Sequence, residues 1–180
     1  MLLVYYGKGK GKTTAALGTA LRALGRGWRV LIIQFMKGNT SGEFVFISEL
    51  SRLFKNQISI VSLGGEGFVS LDDLGDYNAS LSMALSYGFL TYVYPLMMRE
   101  LRPKLVILDE LGLAIHIGLV DESLALKVLR GFAGNQDRHA ILTGRYTPKI
   151  LRELADLVTE FREVKHYFRK GYVNIEGLDV

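Results

Sequence analysis

No cysteine occurs in the chain, which excludes a disulfide framework and any cysteine-held metal cluster. No apolar stretch approaches the length that crosses a bilayer, so no membrane span is expected. No basic leader, export segment or cleavage site precedes the first strand-like run, and a cytoplasmic protein is expected. No arginine-rich or lysine-rich tract is present either. Lys and Arg number 22 against 18 Asp and Glu, a formal charge of +4, and the basic residues are dispersed. That mild excess suits phosphate ligands, and nucleic acid is not an expected partner. With no internal repeat, low-complexity tract or linker, residues 1–180 are expected to form a single domain.

What the chain does have is 49% apolar residues, enough for a packed core, arranged as short apolar runs alternating with amphipathic stretches. Strands are expected at residues 2–6, 29–35, 58–62, 105–108 and 139–143. Helices are expected at 12–24, stopped by Gly25 and Gly27, and at 43–54. Residues 76–102 read as largely helical, with Pro95 kinking or dividing them. Residues 121–130 form a helix with an acidic start and a basic end, as the helix dipole favours. Thr147 and Pro148 read as an N-cap followed by proline at the first helical position. Residues 157–180 supply an edge strand and a tail. Such alternation implies an α/β fold, a mostly parallel sheet with helices on both faces.

The strongest motif is Gly7-Lys8-Gly9-Lys10-Gly11-Lys12-Thr13-Thr14, which follows a strand and opens a helix. The glycines permit a tight turn in which several N–H groups point at one phosphate chain, and the helix N-terminus adds its positive end. Lys12 supplies a point charge for phosphate oxygens. Thr13 has the hydroxyl position that ligates magnesium in such loops. The general pattern puts glycine five residues before Gly11, where Tyr6 stands, and Gly7 can take the turn instead. The expected architecture is therefore a P-loop nucleotide-binding, RecA-like one.

Val106-Ile107-Leu108-Asp109-Glu110 is an apolar strand ending in two acids. It is expected to lie beside the phosphate-loop strand, with Asp109 or Glu110 reaching the metal directly or through water. Arg145 follows a strand end, where ligands bind in open α/β sheets, and could contact phosphate or cap a helix. His116 sits among apolar residues and reads as a satisfied, partly buried histidine. Tyr87, Phe89, Tyr92 and Tyr94 could line a flat ligand, although aromatics on a helix more often form core or interface.

With these motifs in place, the chain resembles the P-loop family of cob(I)alamin adenosyltransferases. The resemblance is carried by Gly7–Thr14 with Ala15-Ala16-Leu17-Gly18, by Gln34-Phe35-Met36-Lys37-Gly38 and Gly42-Glu43, and by Leu108-Asp109-Glu110-Leu111. Thr143-Gly144-Arg145, residues 155–160 and Val164-Lys165-His166 extend it over nearly the whole chain. The family tolerates a non-glycine where Tyr6 stands. The resemblance implies a reaction in which the Co(I) of a reduced corrinoid attacks the 5′ carbon of ATP and triphosphate leaves. ATP is held in the reverse sense from most P-loop proteins, because the bond broken is at the ribose end. The nucleophile belongs to the substrate, so no nucleophilic side chain is needed, and the protein positions and stabilises charge.

Carried over to this sequence, Gly7 to Thr14 form the triphosphate loop, with Lys12 catalytic. Thr13, Asp109 and Glu110 form the region of a magnesium or manganese ion, and Arg145 lies on the nucleotide side. Phe68 is the catalytic aromatic of a corrinoid-facing loop, where it displaces the lower axial ligand of cobalt. Gly64, Gly65 and Gly67 are expected to make that loop mobile. Some members carry tryptophan where Ser70 stands, and other members have an N-terminal extension that caps the corrinoid site. The resemblance further implies a role in cobalamin biosynthesis, a homodimer, and an electron donor such as a flavoprotein. His166 falls in a matching motif with either a hydrogen-bonding or a catalytic role. Two other classes stay open on the residues themselves: a different P-loop kinase or ATPase, and a non-catalytic nucleotide- or corrinoid-binding module. A kinase would need an acceptor lid with several arginines, and no clear one is seen.

Overall fold

The computed structural model describes residues 1–54, 57–65, 77–173 and 175–179. Its elements in chain order are β1 (Leu2–Tyr6), α1 (Lys12–Leu24), β2 (Val30–Phe35), α2 (Gly42–Leu53), β3 (Ile58–Leu63), α3 (Tyr77–Gly88), a π-helical turn (Phe89–Val93) and α4 (Tyr94–Leu101). There follow β4 (Leu105–Asp109), α5 (Leu111–His116), α6 (Glu122–Leu129), β5 (His139–Gly144), α7 (Lys149–Leu154), β6 (Leu157–Glu160) and a 3-10 turn (Tyr167–Lys170). Six strands of the described residues make one sheet in the order β3-β2-β4-β5-β1-β6, every pair parallel.

The central strands are mostly apolar because helices cover both faces, and their buried polar residues Gln34, Asp109 and Thr143 fall near the C-terminal ends. All six residues of β2 and all five of β4 are buried, whereas all four of the edge strand β6 are exposed. Strand side chains alternate between faces. Val30, Ile32, Leu105, Ile107 and Ile141 point to α1 and α2 and pack with Ala16, Ala20, Ala23 and Ile47. Leu31, Ile33, Val106, Leu108 and Leu142 point the other way, into a core with Phe89, Leu90, Tyr94, Leu111, Leu129 and Leu151. The buried alanines of α1, spaced four and three apart, let that helix lie close on the sheet.

Two expectations need correction. The acidic strand β4 does not lie beside β1, because β5 stands between them. Strand order is set by crossovers, which a run of apolar residues does not encode. Helix α7 starts one residue late: Pro148 is the N-cap, and the buried hydroxyl of Thr147 makes no hydrogen bond. Proline's fixed φ permits either position, but here its ψ of 144° keeps it outside the helix. The helical stretch before β4 is divided just ahead of Pro95, by the π turn, where Tyr94 N–H bonds back to Phe89. A proline ring collides with the carbonyl four residues before it, and the wider turn relieves that clash. Phe89 and Tyr94 are core residues, while Tyr87 and Tyr92 are exposed.

Candidate functional site

In a parallel sheet every strand delivers its C-terminal end to the same edge. Here β1, β2, β4 and β5 deliver the phosphate loop, Lys37, Glu110 and Arg145 to that edge. Gly7 and Gly11 have φ of 110° and 106°, which a side chain would oppose. Close packing adds a second requirement. The backbone after β6 runs against the loop: Phe161 N–H donates to the Tyr6 carbonyl at 2.7 Å, and Gly9 N–H donates to the Phe161 carbonyl at 2.8 Å. A Cβ on Gly7 would collide with the Phe161 carbonyl oxygen, and one on Gly9 would lie 2.8 Å from the Arg162 backbone. The Gly9 N–H thus points to Phe161 and not into the loop.

Lys12 is buried, and its Nζ donates to the Gly9 carbonyl at 2.8 Å. Burial lowers its pKa, Glu110 opposes that shift and Arg145 adds to it. Lys10 reaches the other way, to the Leu178 carbonyl at 2.5 Å and to Asp179 at 2.6 Å. Asp179 also accepts from the Tyr167 hydroxyl, and these hydrogen bonds pull its pKa to about 2. The chain's last turn therefore forms one wall of the cleft that contains the loop.

Asp109, 1% exposed, joins the pieces. Its Oδ1 accepts from the Thr13 hydroxyl at 2.8 Å and from the Thr143 hydroxyl at 2.7 Å, and its Oδ2 from Lys37 Nζ at 2.9 Å. Thr143 lies on β5 and so bridges the strand interposed between loop and acid; it also accepts the Glu110 N–H at 2.8 Å. Glu110 has φ 61° and Met36 has φ 59°, left-handed positions that cost about 1–3 kcal/mol each for a residue other than glycine. They turn Glu110 and Lys37 back over the strand ends. Burial, and then the neighbouring Asp109, raise the pKa of Glu110.

The resulting cleft, about 470 Å³, is lined by Lys10–Thr14, Lys37, Glu43, Glu110 and Gly177–Asp179. Lys37, Glu43, Gln34 and Thr143 were not assigned roles from the sequence, although each falls inside a matching motif. Glu43 accepts from Gln34 Nε2 at 3.0 Å and lies 3.3 Å from Lys37 Nζ. The donors present fit a small divalent cation. They are all oxygen, with the Thr13 hydroxyl and the orphaned Glu110 Oε2 both at the cleft. Among the described residues no cluster of three or more acidic or histidine side chains could hold a metal alone. Such a cation would therefore need phosphate oxygens to complete its shell, which is how magnesium is bound with nucleotides.

A second cleft of about 670 Å³ lies across the loop and takes in Lys8, His116, Arg145, Tyr146, Arg152 and Phe161. Its walls are basic and aromatic: Lys8 Nζ is 6.0 Å from the Tyr146 ring and Arg152 stacks 4.9 Å over Tyr6. His116 is exposed and packs on Tyr146 at 4.7 Å, so the expected partly buried histidine is a cleft residue. Apolar neighbours in sequence misled here, because His116 ends a short helix whose Ile115 turns inward. His166 caps the 3-10 turn through Nδ1, which accepts from Phe168 N–H at 3.1 Å. Phe68, Gly67 and Ser70 lie outside the described residues. Gly64 is a close-packing glycine: a Cβ there would sit 2.6 Å from Lys37 N.

A sequence model of the family described as ATP:corrinoid adenosyltransferase BtuR/CobO/CobP matches residues 1–180. A corrinoid adenosyltransferase of Pseudomonas aeruginosa is 32% identical over 185 residues, covering 99% of this chain and 83% of that protein. The corrinoid adenosyltransferase CobA of Salmonella typhimurium is 32% identical over 181 residues, 99% of this chain and 85% of that protein. One from Sinorhizobium is 31% identical over 180 residues, 99% of this chain and 79% of that protein. No helix among the described residues is long and apolar enough to cross a membrane.

Proposed function

Because the chain belongs to the ATP:corrinoid adenosyltransferase family and is a transferase of that activity, we propose that its two clefts divide ATP between them. The cleft of Lys10, Lys12, Thr13 and Lys37 takes the triphosphate. The cleft of Lys8, Arg145 and Tyr146 takes the adenosyl end and leads to the corrinoid. The observation that carries this is the bonding of Thr13 and Thr143 to one oxygen of Asp109, which fixes the phosphate loop to the acidic strand.

In the reaction the cobalt–carbon bond forms as the bond from the 5′ carbon to the phosphate oxygen breaks, and the electron pair leaves with the triphosphate. The charge that develops is on the leaving group, so cations preorganised around it lower the barrier. Lys12 donates to the Gly9 carbonyl, and a phosphate oxygen is a better acceptor for a desolvated ammonium. Thr13 and Glu110 would hold magnesium or manganese, with Asp109 orienting Thr13. When bound, the ion neutralises part of the leaving-group charge. Phe68 is the assigned aromatic on the corrinoid side. Cobalamin biosynthesis in the cytoplasm, electrons from a donor such as a flavoprotein, and a homodimer complete the reading on the strength of the family.

The test is anaerobic incubation with ATP, magnesium and chemically reduced corrinoid. The cobalt–carbon absorbance should appear in step with free triphosphate followed by phosphorus NMR. ADP rising in step with ATP loss would make this a phosphoryl-transfer enzyme, and no product at all would leave a binding module.

A further inference from the structure

Among the described residues three cations line the triphosphate cleft, and each has a partner. Lys10 is held by the chain's last turn and Lys12 by the Gly9 carbonyl. Lys37 differs, because it is held by acids at the place where Thr13 and Glu110 face the cleft. Its position is built and not incidental. Met36 is left-handed, and the end of β3 braces the turn so closely that only glycine fits at Gly64. That turn puts Lys37 Nζ 2.9 Å from Asp109 Oδ2 and 3.3 Å from Glu43 Oε1. Thr13 and Lys37 therefore occupy opposite oxygens of one buried carboxylate. Asp109 and Glu43 both meet Lys37 Nζ, and Glu110 lies within electrostatic range of it. Buried carboxylates need compensating charge, and Lys37 supplies it to Asp109 and Glu43. A divalent cation brought into the same few ångströms would meet the ammonium as a like charge.

We propose that Lys37 is an internal counter-cation: without nucleotide its ammonium neutralises Asp109 and Glu43 and excludes free divalent cations, and when metal arrives with ATP it is released to the triphosphate. The inference rests on the metal reading above. It explains how one site can reject an abundant free ion yet accept it with its nucleotide. An ammonium carries three donors, so Lys37 can change partners without leaving the cleft that it lines.

Equilibrium dialysis with Mn2+ tests it. The wild type should bind Mn2+ weakly alone and tightly with ATP. Lys37→Met should bind Mn2+ alone about tenfold more tightly or better, since the competing charge is gone. Its binding of inorganic tripolyphosphate without metal should weaken by about tenfold as well. Lys37→Arg, which keeps the charge, should leave binding of Mn2+ alone weak. If Lys37→Met does not fold because Asp109 is left unpaired, Lys37→Gln replaces it: the amide can still donate to Asp109, and Mn2+ alone should raise its Tm more than that of the wild type. A neutral variant that gains no affinity for Mn2+ alone, in a protein whose wild type binds Mn2+ with ATP, overturns the inference and leaves the metal reading standing. A wild type that binds no Mn2+ even with ATP overturns both.

Discussion

Glu110 carries a carboxylate oxygen that is buried and accepts no hydrogen bond. Leaving such a group unsatisfied costs about 1–3 kcal/mol, so Glu110 is held at the expense of stability. The dependence on pH follows from the direction of its pKa. Burial and Asp109 raise the folded value above the ordinary 4.5. Below the unfolded value both states carry the proton and nothing is lost. As pH rises through the folded value, the folded state must ionise a buried group and stability falls. Glu110→Gln has no proton to lose. Its Tm should exceed that of the wild type at neutral pH, and the gap should close on acidification to the ordinary carboxylate range. A gap that stays constant from neutral to acid pH would mean that Glu110 is not an ionised, desolvated group. Adding magnesium with ATP should reverse the order at neutral pH, since only the wild type offers a carboxylate to the ion.

At the scale of elements, the phosphate loop and α1 test what each glycine does. Gly9→Ala puts a methyl 2.8 Å from the Arg162 backbone, and backbone cannot swing aside as a side chain can. The loop should lift off the segment after β6, with a KM for ATP higher by about tenfold or more, in line with the sensitivity of catalysis to small misplacements. Gly18, in the middle of α1, is exposed, and a Cβ there meets nothing within 4 Å. Gly18→Ala should therefore stabilise the protein by about 0.4–1 kcal/mol through the unfolded state. Kinetics and melting curves of the pair separate the two roles, and equal behaviour would show that neither glycine is special. These elements were legible in the sequence because glycine, lysine and threonine at fixed spacing leave few alternatives. The apolar runs of β2 and β4 were legible because strands covered on both faces have no polar side. The position of β5 between β1 and β4 was not legible, since no local feature of His139–Gly144 names its neighbours. Lys37 and Thr143 were visible as members of motifs, but their work depends on meeting Asp109, a contact between residues 72 and 34 positions apart. The π turn and the left-handed Met36 were hidden for another reason: a kink at proline can take several forms, and no residue type marks a methionine as left-handed.

At the scale of the molecule, one sheet carries two cores. Ile107 and Leu108 are successive residues of β4, both fully buried, and they point to opposite faces. Ile107 belongs with α1 and α2, and Leu108 with the helices from α3 to α7. If residues 1–180 form a single cooperative unit, as the composition leads one to expect, the loss of either side chain must weaken both faces equally. The reason is mechanical: neither helical layer has anything to pack on once the shared strands separate. Truncating either residue to alanine should cost about 2–5 kcal/mol. That is a large share of the roughly 5–15 kcal/mol that holds a domain together. The chain contains one tryptophan, Trp28, which packs against the core of Ile107 and stacks on His139 at 5.1 Å. Its fluorescence therefore reports one face, whereas far-UV circular dichroism reports helices on both. In urea the two signals should give the same midpoint for the wild type, for Ile107→Ala and for Leu108→Ala. The informative variant is Leu108→Ala, because its cavity lies on the face away from Trp28. If its circular dichroism midpoint falls while the Trp28 midpoint stays with the wild type, the two layers unfold separately and the single unit is wrong.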